Sequence, residues 1–114
     1  MKTYYNHRAE PYFTFLKNGQ KTIEGRIKKG KYSLIEAGDS IVVSNNDETD
    51  SVNVIVKRVT TYPTIDAMLR VEDFMKVLPD AASTQQGVAI YRRFYTQEQE
   101  TEFGVVAIEV KVVV

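Results

Sequence analysis

Short apolar runs alternate with polar punctuation along this chain, and the period of each run sets the element it predicts. Val105 to Val113 places Val106, Ile108, Val110 and Val112 against Ala107, Glu109 and Lys111. Alternation of period two over that length predicts a strand. Ser51 to Thr61 repeats the pattern with Val52, Val54 and Val56, and Ser40 to Ser44 holds Ile41, Val42 and Val43 as a buried type of strand. Lys2 to His7, with the β-prone Thr3-Tyr4-Tyr5, and Thr22 to Ile27 complete the set. Gly25 stands in the middle of the last of these, where a glycine marks either a bulge or a close backbone approach.

Helical spacing fills the gaps. Pro11 opens a helix, because the missing N–H of proline has no intrahelical partner at the first position. Tyr12, Phe15 and Leu16 follow at i, i+3, i+4 as one apolar stripe. Asn18-Gly19 ends it, with Gly19 able to take the left-handed conformation past a helix C-terminus. Pro63-Thr64 starts a helix carrying Ile65, Met68 and Leu69, and Glu72 to Leu78 adds a short helical turn before Pro79. Ser83-Thr84-Gln85-Gln86 reads as a capping box. The helix after it carries Val88, Tyr91, Phe94 and Tyr95, with Phe94 expected in the core. Thr96 caps a short acidic helix that runs to Phe103 and is broken by Gly104. Lys28-Lys29-Gly30-Lys31, Ala37-Gly38-Asp39 and Asn45 to Asp50 are turns or loops. Strands interleaved irregularly with helices predict an α+β fold, a curved sheet or small barrel with helices packed at its ends.

Composition narrows the function classes. The 114 residues fit one domain spanning 1–114, and 43% apolar with 26% charged residues is the balance of an ordinary globular chain. No apolar run approaches the ~20 residues of a membrane span. Met1 to Tyr5 lacks the apolar stretch of a signal peptide, so the expected location is cytoplasmic or nuclear. Cysteine is absent, which removes disulfides, thiol nucleophiles and thiolate metal sites together. His7 is the one histidine, too few for a structural zinc site, and reads as a strand-end residue rather than a general base. No cofactor and no metal is implied, and no specific protein partner.

Formal net charge is zero, yet the charges are segregated. Lys17 to Lys31 holds six of the fifteen basic residues, Lys17, Lys21, Arg26, Lys28, Lys29 and Lys31, against the single acid Glu24. Such a segment either attracts an anionic ligand or is a solvated, lysine-rich turn.

Within it, Glu24 and Arg26 lie two apart on an expected strand and so share a face. A carboxylate beside a guanidinium can form a bidentate pair. Buried, that pair is either a structural plug or a device that orients Arg26 toward a phosphate or a base edge. Lys21 has the opposite parity but lies at the helix-to-strand turn, where it can still converge on Glu24. A desolvated lysine with a lowered pKa can serve as base or nucleophile. Lys28, Lys29 and Lys31 fall at the rim of the same region. Tyr91 and Arg92 belong to a run, Tyr91 to Tyr95, that interleaves aromatic rings with guanidinium groups, a composition that can stack on unpaired bases.

The stretch Gly19-Gln20-Lys21-Thr22-Ile23-Glu24-Gly25-Arg26 fits G-x-K-x-x-E-x-R and resembles the signature of the ASCH (activating signal cointegrator homology) family. Glu10-Pro11-Tyr12-Phe13, Ala37-Gly38-Asp39-Ser40-Ile41 and Phe103-Gly104-Val105-Val106-Ala107-Ile108 resemble further landmarks of that family, in its order. The resemblance implies a PUA-like small β-barrel with helices packed at its openings, a cleft lined by the motif, and RNA or a nucleotide-like molecule as ligand. The ligand-binding candidates are then Lys21, Glu24, Arg26, Lys28, Lys31, Tyr91 and Arg92. The resemblance also admits a hydrolase, with Lys21 and Glu24 as the catalytic candidates. Some family members are ascribed ribonuclease activity, and small bacterial relatives are amidohydrolases that deacetylate N4-acetylcytidine. Those amidohydrolases carry a threonine of their catalytic set where this chain has Glu24, and Thr22 does not stand at the same place.

Overall fold

The computed structural model describes residues 1–113. In chain order the elements are β1 (Thr3–Arg8), α1 (Tyr12–Lys17), β2 (Ile23–Ile27), a 3-10 turn (Gly30–Ser33), β3 (Ser40–Asn45), β4 (Ser51–Tyr62), α2 (Ile65–Glu72), α3 (Phe74–Val77), α4 (Thr84–Tyr91), α5 (Gln97–Phe103) and β5 (Val105–Val112). The strands form one five-stranded sheet in the order β1-β3-β4-β5-β2, with β1 parallel to β3 and the other ladders antiparallel. This is an α+β half-barrel, the class expected from the sequence.

Period two on β5 divides the apolar interior into two cores. Val106, Ile108 and Val110 join Ile41, Val43, Val52, Val54 and Val56 of the neighbouring strands and Phe13 and Leu16 of α1. Val105 and Ala107, on the other face, join Ile23 and Ile27 of β2 and the side chains of α2, α3 and α4. Both faces of β5 are therefore covered, which is why Val105 to Ile108 are all buried.

Local chemistry fixes the element ends. The Thr64 and Ser83 hydroxyls accept from Ala67 N (3.0 Å) and Gln86 N (3.1 Å). The Gln86 side chain reaches back to Ala82 N, one residue before the position a capping box requires. Thr96 and Gln99 complete the full reciprocal box at α5. Asp39 ties two strand starts together, its carboxylate accepting from Lys2 N and Glu36 N at 2.9 Å each.

Gly25 is a close approach and not a bulge: the β2–β5 register runs unbroken from Ile23 to Ile27. A Cβ built there would lie 2.6 Å from the Tyr91 hydroxyl and 2.7 Å from Met68 Cε. Only glycine lets α2 and α4 seat this closely on β2. The bulge lies instead between Val56 and Arg58 on β4.

Three expectations are corrected. Pro11 is the residue before α1, its N-cap, and not its first helical residue. On α1 the buried residues are Phe13 and Leu16, while Tyr12 and Phe15 are half-buried. Phe94 is 69% exposed, because α4 ends at Tyr91 and the helical period no longer governs the residues beyond it.

Candidate functional site

β1 and β2 are the two edges of the sheet. Side chains join them where no ladder does. Tyr4, Asn6 and Arg8 alternate onto one face of β1, and Tyr4 packs against the core that Phe13 and Ile41 share. Glu24 and Arg26 stand opposite Ile108 and Val106, so they point to the same interior.

Arg8 Nη2 lies 2.7 Å from Glu24 Oε2, with side chains only 11% and 7% exposed. Arg26 Nη2 approaches the same oxygen at 3.6 Å. The bidentate Glu24–Arg26 pair expected from the strand period is thus not formed. Residues two apart on a strand are separated by roughly 7 Å along it, and the Arg26 guanidinium is drawn the other way. It lies 5.1 Å from the Tyr32 ring centroid, and its Nη1 donates to the Tyr95 hydroxyl at 3.4 Å.

Lys21 is buried and points inward. Its Nζ donates to Val77 O (2.5 Å) and Ile23 O (2.8 Å) and stands 3.8 Å from Glu24 Oε1. Its backbone N–H donates to Phe15 O at 2.9 Å, which turns the chain from α1 into β2 and settles the parity left open by the sequence. Burial lowers the Lys21 pKa below the ordinary lysine value, and the Glu24 charge opposes that shift. Burial likewise raises the Glu24 carboxyl, with Lys21 pulling it back.

These residues surround a cavity of about 80 Å³ that opens beside Tyr12, Leu78 and Tyr91. The Tyr91 hydroxyl donates to Gly25 O at 3.2 Å and, raised in pKa by burial, stays protonated. Polar capacity is left over here. Arg8 Nε, Arg26 Nε and Glu24 Oε1, on residues that line the cavity, are buried without a hydrogen-bond partner, as are Asn6 Oδ1 and the Tyr4 hydroxyl on the same face of β1, whereas Arg8 Nη2 is held by the Glu24 carboxylate. Buried polar groups are ordinarily satisfied, and each that is not costs about 1–3 kcal/mol. Among the described residues one other such atom exists, Arg92 Nη1.

The remaining sequence candidates are placed elsewhere. Lys28 donates to Thr61 Oγ1 at 3.2 Å, and Lys31 to Tyr5 O at 2.7 Å, with its ammonium over Tyr32. Arg92 is bound to both oxygens of the buried Glu100, at 3.1 and 3.0 Å. None of these three lines the cavity, whereas Lys21, Glu24, Arg26 and Tyr91 do. Sequence reasoning passes over Arg8, whose one signal is its period-two relation to Asn6. His7 is exposed, with Nε2 3.3 Å from Glu48 Oε1. Thr22 lines a different groove. Among the described residues no group of three His, Cys, Asp or Glu side chains is placed to hold a metal. No helix among them is long and apolar enough to cross a membrane.

A family model described as the ASCH domain matches residues 8–114. The crystal structure of the hypothetical protein PH0355 is 36% identical, covers 99% of this chain and 100% of its own, and superposes with a TM-score of 0.89. The solution structure of protein PF0455 from Pyrococcus furiosus is 34% identical over 97% of each chain, with a TM-score of 0.79. An ASCH domain from Lactobacillus crispatus, 17% identical, shares the fold with a TM-score of 0.66 over 95% of this chain and 79% of its own. No curated protein matches the chain.

Proposed function

The chain belongs to the ASCH domain family, and we propose that it binds RNA or a nucleotide-like ligand in the cleft between β1 and β2. The observation that carries this reading is the unspent polar atoms on residues lining the cavity, Arg8 Nε, Arg26 Nε and Glu24 Oε1. Arg8 and Arg26 offer N–H donors to a phosphate or a base carbonyl, and Glu24 Oε1 offers an acceptor to an amino or imino group. Tyr32 and Tyr95, half-buried beside Arg26, supply rings of the kind that stack on unpaired bases, whereas Tyr91 is buried. At about 80 Å³ the cavity is well below the size of a whole-ligand pocket, so one group of the ligand enters and the rest lies along the rim. Lys28 and Lys31 can exchange their single hydrogen bonds for a phosphate there. Arg92, spent on Glu100, has no part in this reading.

A second reading, hydrolysis, is favoured by Lys21, a buried amine of lowered pKa 3.8 Å from a carboxylate. Its neutral form would act as general base, with Arg26 stabilising developing negative charge. Titrating wild type, Lys21→Ala and Arg26→Ala with short single-stranded RNA, with chromatography of the RNA and of added N4-acetylcytidine, separates the two. Binding lost in both variants with intact RNA supports the binding module. Turnover that requires Lys21 makes the protein an enzyme, and no binding at low salt, where phosphate contacts are strongest, defeats the first reading.

A further inference from the structure

On the far side of Lys21 lies a larger, open groove of about 580 Å³. Leu16, Val110 and Val112 form its apolar floor, and Lys17, Lys57, Lys76 and Lys111 stand around it. The β4 bulge supplies part of this charge. Val56 pairs with Val110 and Arg58 with Glu109, so Lys57 is the extra residue. A bulge turns two successive side chains to one face, and Lys57 and Arg58 are both exposed.

The two then divide the work. Arg58 is shared between two carboxylates, Glu72 at 2.7 Å and Glu109, the one acid that lines the groove, at 3.0 Å. Lys17 is paired with Asp50 at 2.5 Å. Lys57, Lys76 and Lys111 make no ion pair among the described residues. Three ammonium groups without an ion-pair partner around one concavity, against the single lining acid Glu109, leave it locally basic in a chain whose net charge is zero.

We propose that this groove is a second binding surface, one that takes the phosphodiester backbone of a single-stranded RNA whose reading nucleotide occupies the β1–β2 cleft. The inference rests on the cleft reading for the choice of RNA, and on the groove alone for its anionic character. Lysine is a point charge on a flexible stem and tolerates many phosphate positions. No aromatic ring and no arginine lines the groove, so its contacts position the strand and do not read sequence. Its volume lies within the range of ligand sites. An acidic peptide would meet the same charges. RNA is favoured because Lys21 borders both concavities, and the cleft beyond it carries the donors, acceptor and rings that suit a nucleotide.

The test compares wild type with a Lys57→Gln, Lys76→Gln, Lys111→Gln variant, binding a labelled single-stranded RNA of about ten nucleotides between about 50 and 200 mM salt. At ~0.7 per phosphate contact on a single strand, the slope of log K against log salt should fall by about 2, with at least a tenfold (~10×) loss of affinity at the low-salt end. Binding of uridine monophosphate in the cleft should stay within about twofold, since Lys57, Lys76 and Lys111 do not line the cleft. A control that removes equal charge elsewhere, Lys2→Glu with Arg70→Gln, should keep the wild-type slope. If the triple variant unfolds, Lys57→Glu alone at the exposed bulge repeats the test.

An unchanged slope in the groove variant, or an equal drop in the control, overturns the proposal. Oligoglutamate that binds as tightly as the RNA, and is lost in the same variant, overturns the choice of nucleic acid. Oligonucleotide binding of normal slope that survives Arg8→Ala and Arg26→Ala removes the cleft reading and leaves the groove standing. Failure of wild type to bind the RNA at about 50 mM salt removes both.

Discussion

Arg8 and Glu24 belong to the two edge strands of one sheet, sixteen positions apart in the chain, and meet across the open seam at 2.7 Å. A closed barrel would satisfy that seam with backbone hydrogen bonds. Here it is spanned by an ion pair flanked by Arg26 and Lys21, so cationic charge exceeds anionic charge at a buried site with donors to spare.

Removing one partner of the pair strands the other. Arg8→Ala or Glu24→Ala should lower the unfolding free energy in urea by about 3–5 kcal/mol, mostly the cost of a buried charge left alone. Arg8→Met combined with Glu24→Leu should recover part of that loss, because apolar packing replaces the pair while Lys21 and Arg26 lose their carboxylate. The double variant should still fail to bind nucleotide. Full binding by a stable double variant would make the pair a plug and nothing more.

Gly25→Ala tests the close approach. Its Cβ would meet the Tyr91 hydroxyl at 2.6 Å and Met68 at 2.7 Å, so α4 and α2 must shift, at about 1–3 kcal/mol. Tyr91→Phe removes the nearest atom, along with a hydrogen bond to Gly25 O. The two substitutions together should therefore cost less than their sum, by at least ~0.5 kcal/mol in a double-mutant cycle. Strict additivity would mean the hydroxyl is not what excludes a side chain there.

Asp39 predicts an acid-sensitive contribution. Backbone N–H groups of Glu36 and Lys2, in that order, hold its carboxyl below the usual aspartate range. A depressed carboxyl contributes stability that is present above the unfolded value of about 3.9 and is lost as pH falls through the folded pKa. Wild type should lose stability across that acid window more steeply than Asp39→Asn. Parallel pH profiles for the two proteins would contradict the assignment.

Lys21 predicts the opposite end of the scale. Its folded pKa lies below the ordinary lysine value of about 10.4, so between the two the unfolded chain binds the extra proton. Stability should rise with pH through that window, and Lys21→Met should abolish the rise. A wild-type profile that is flat there would mean the lysine is not desolvated in solution.

What the sequence disclosed was mostly local. The alternation of β4 and β5, the Ser83 and Thr96 caps and the Gly104 break each depend on neighbours within a few residues, and each lies where the pattern puts it. The family landmarks around Asp39 and Gly104 turn out to fix turns: a carboxylate that clamps two strand starts, and a glycine at φ 76°. Arg8 escaped because its partner appears only after the sheet has curled. Phe94 misled because a helix period was carried three residues past the end of α4. Lys28, Lys31 and Arg92 share the basic character of the motif but are claimed by Thr61, Tyr5 and Glu100, partners that no spacing rule brings to them.

The most direct test is an amide chemical-shift titration of the wild-type protein with a single mononucleotide, uridine monophosphate, at low salt. Saturable shifts centred on Arg8, Glu24 to Arg26 and Tyr91 are the predicted result. Shifts that miss those residues, or none at millimolar nucleotide, would contradict a ligand site between β1 and β2.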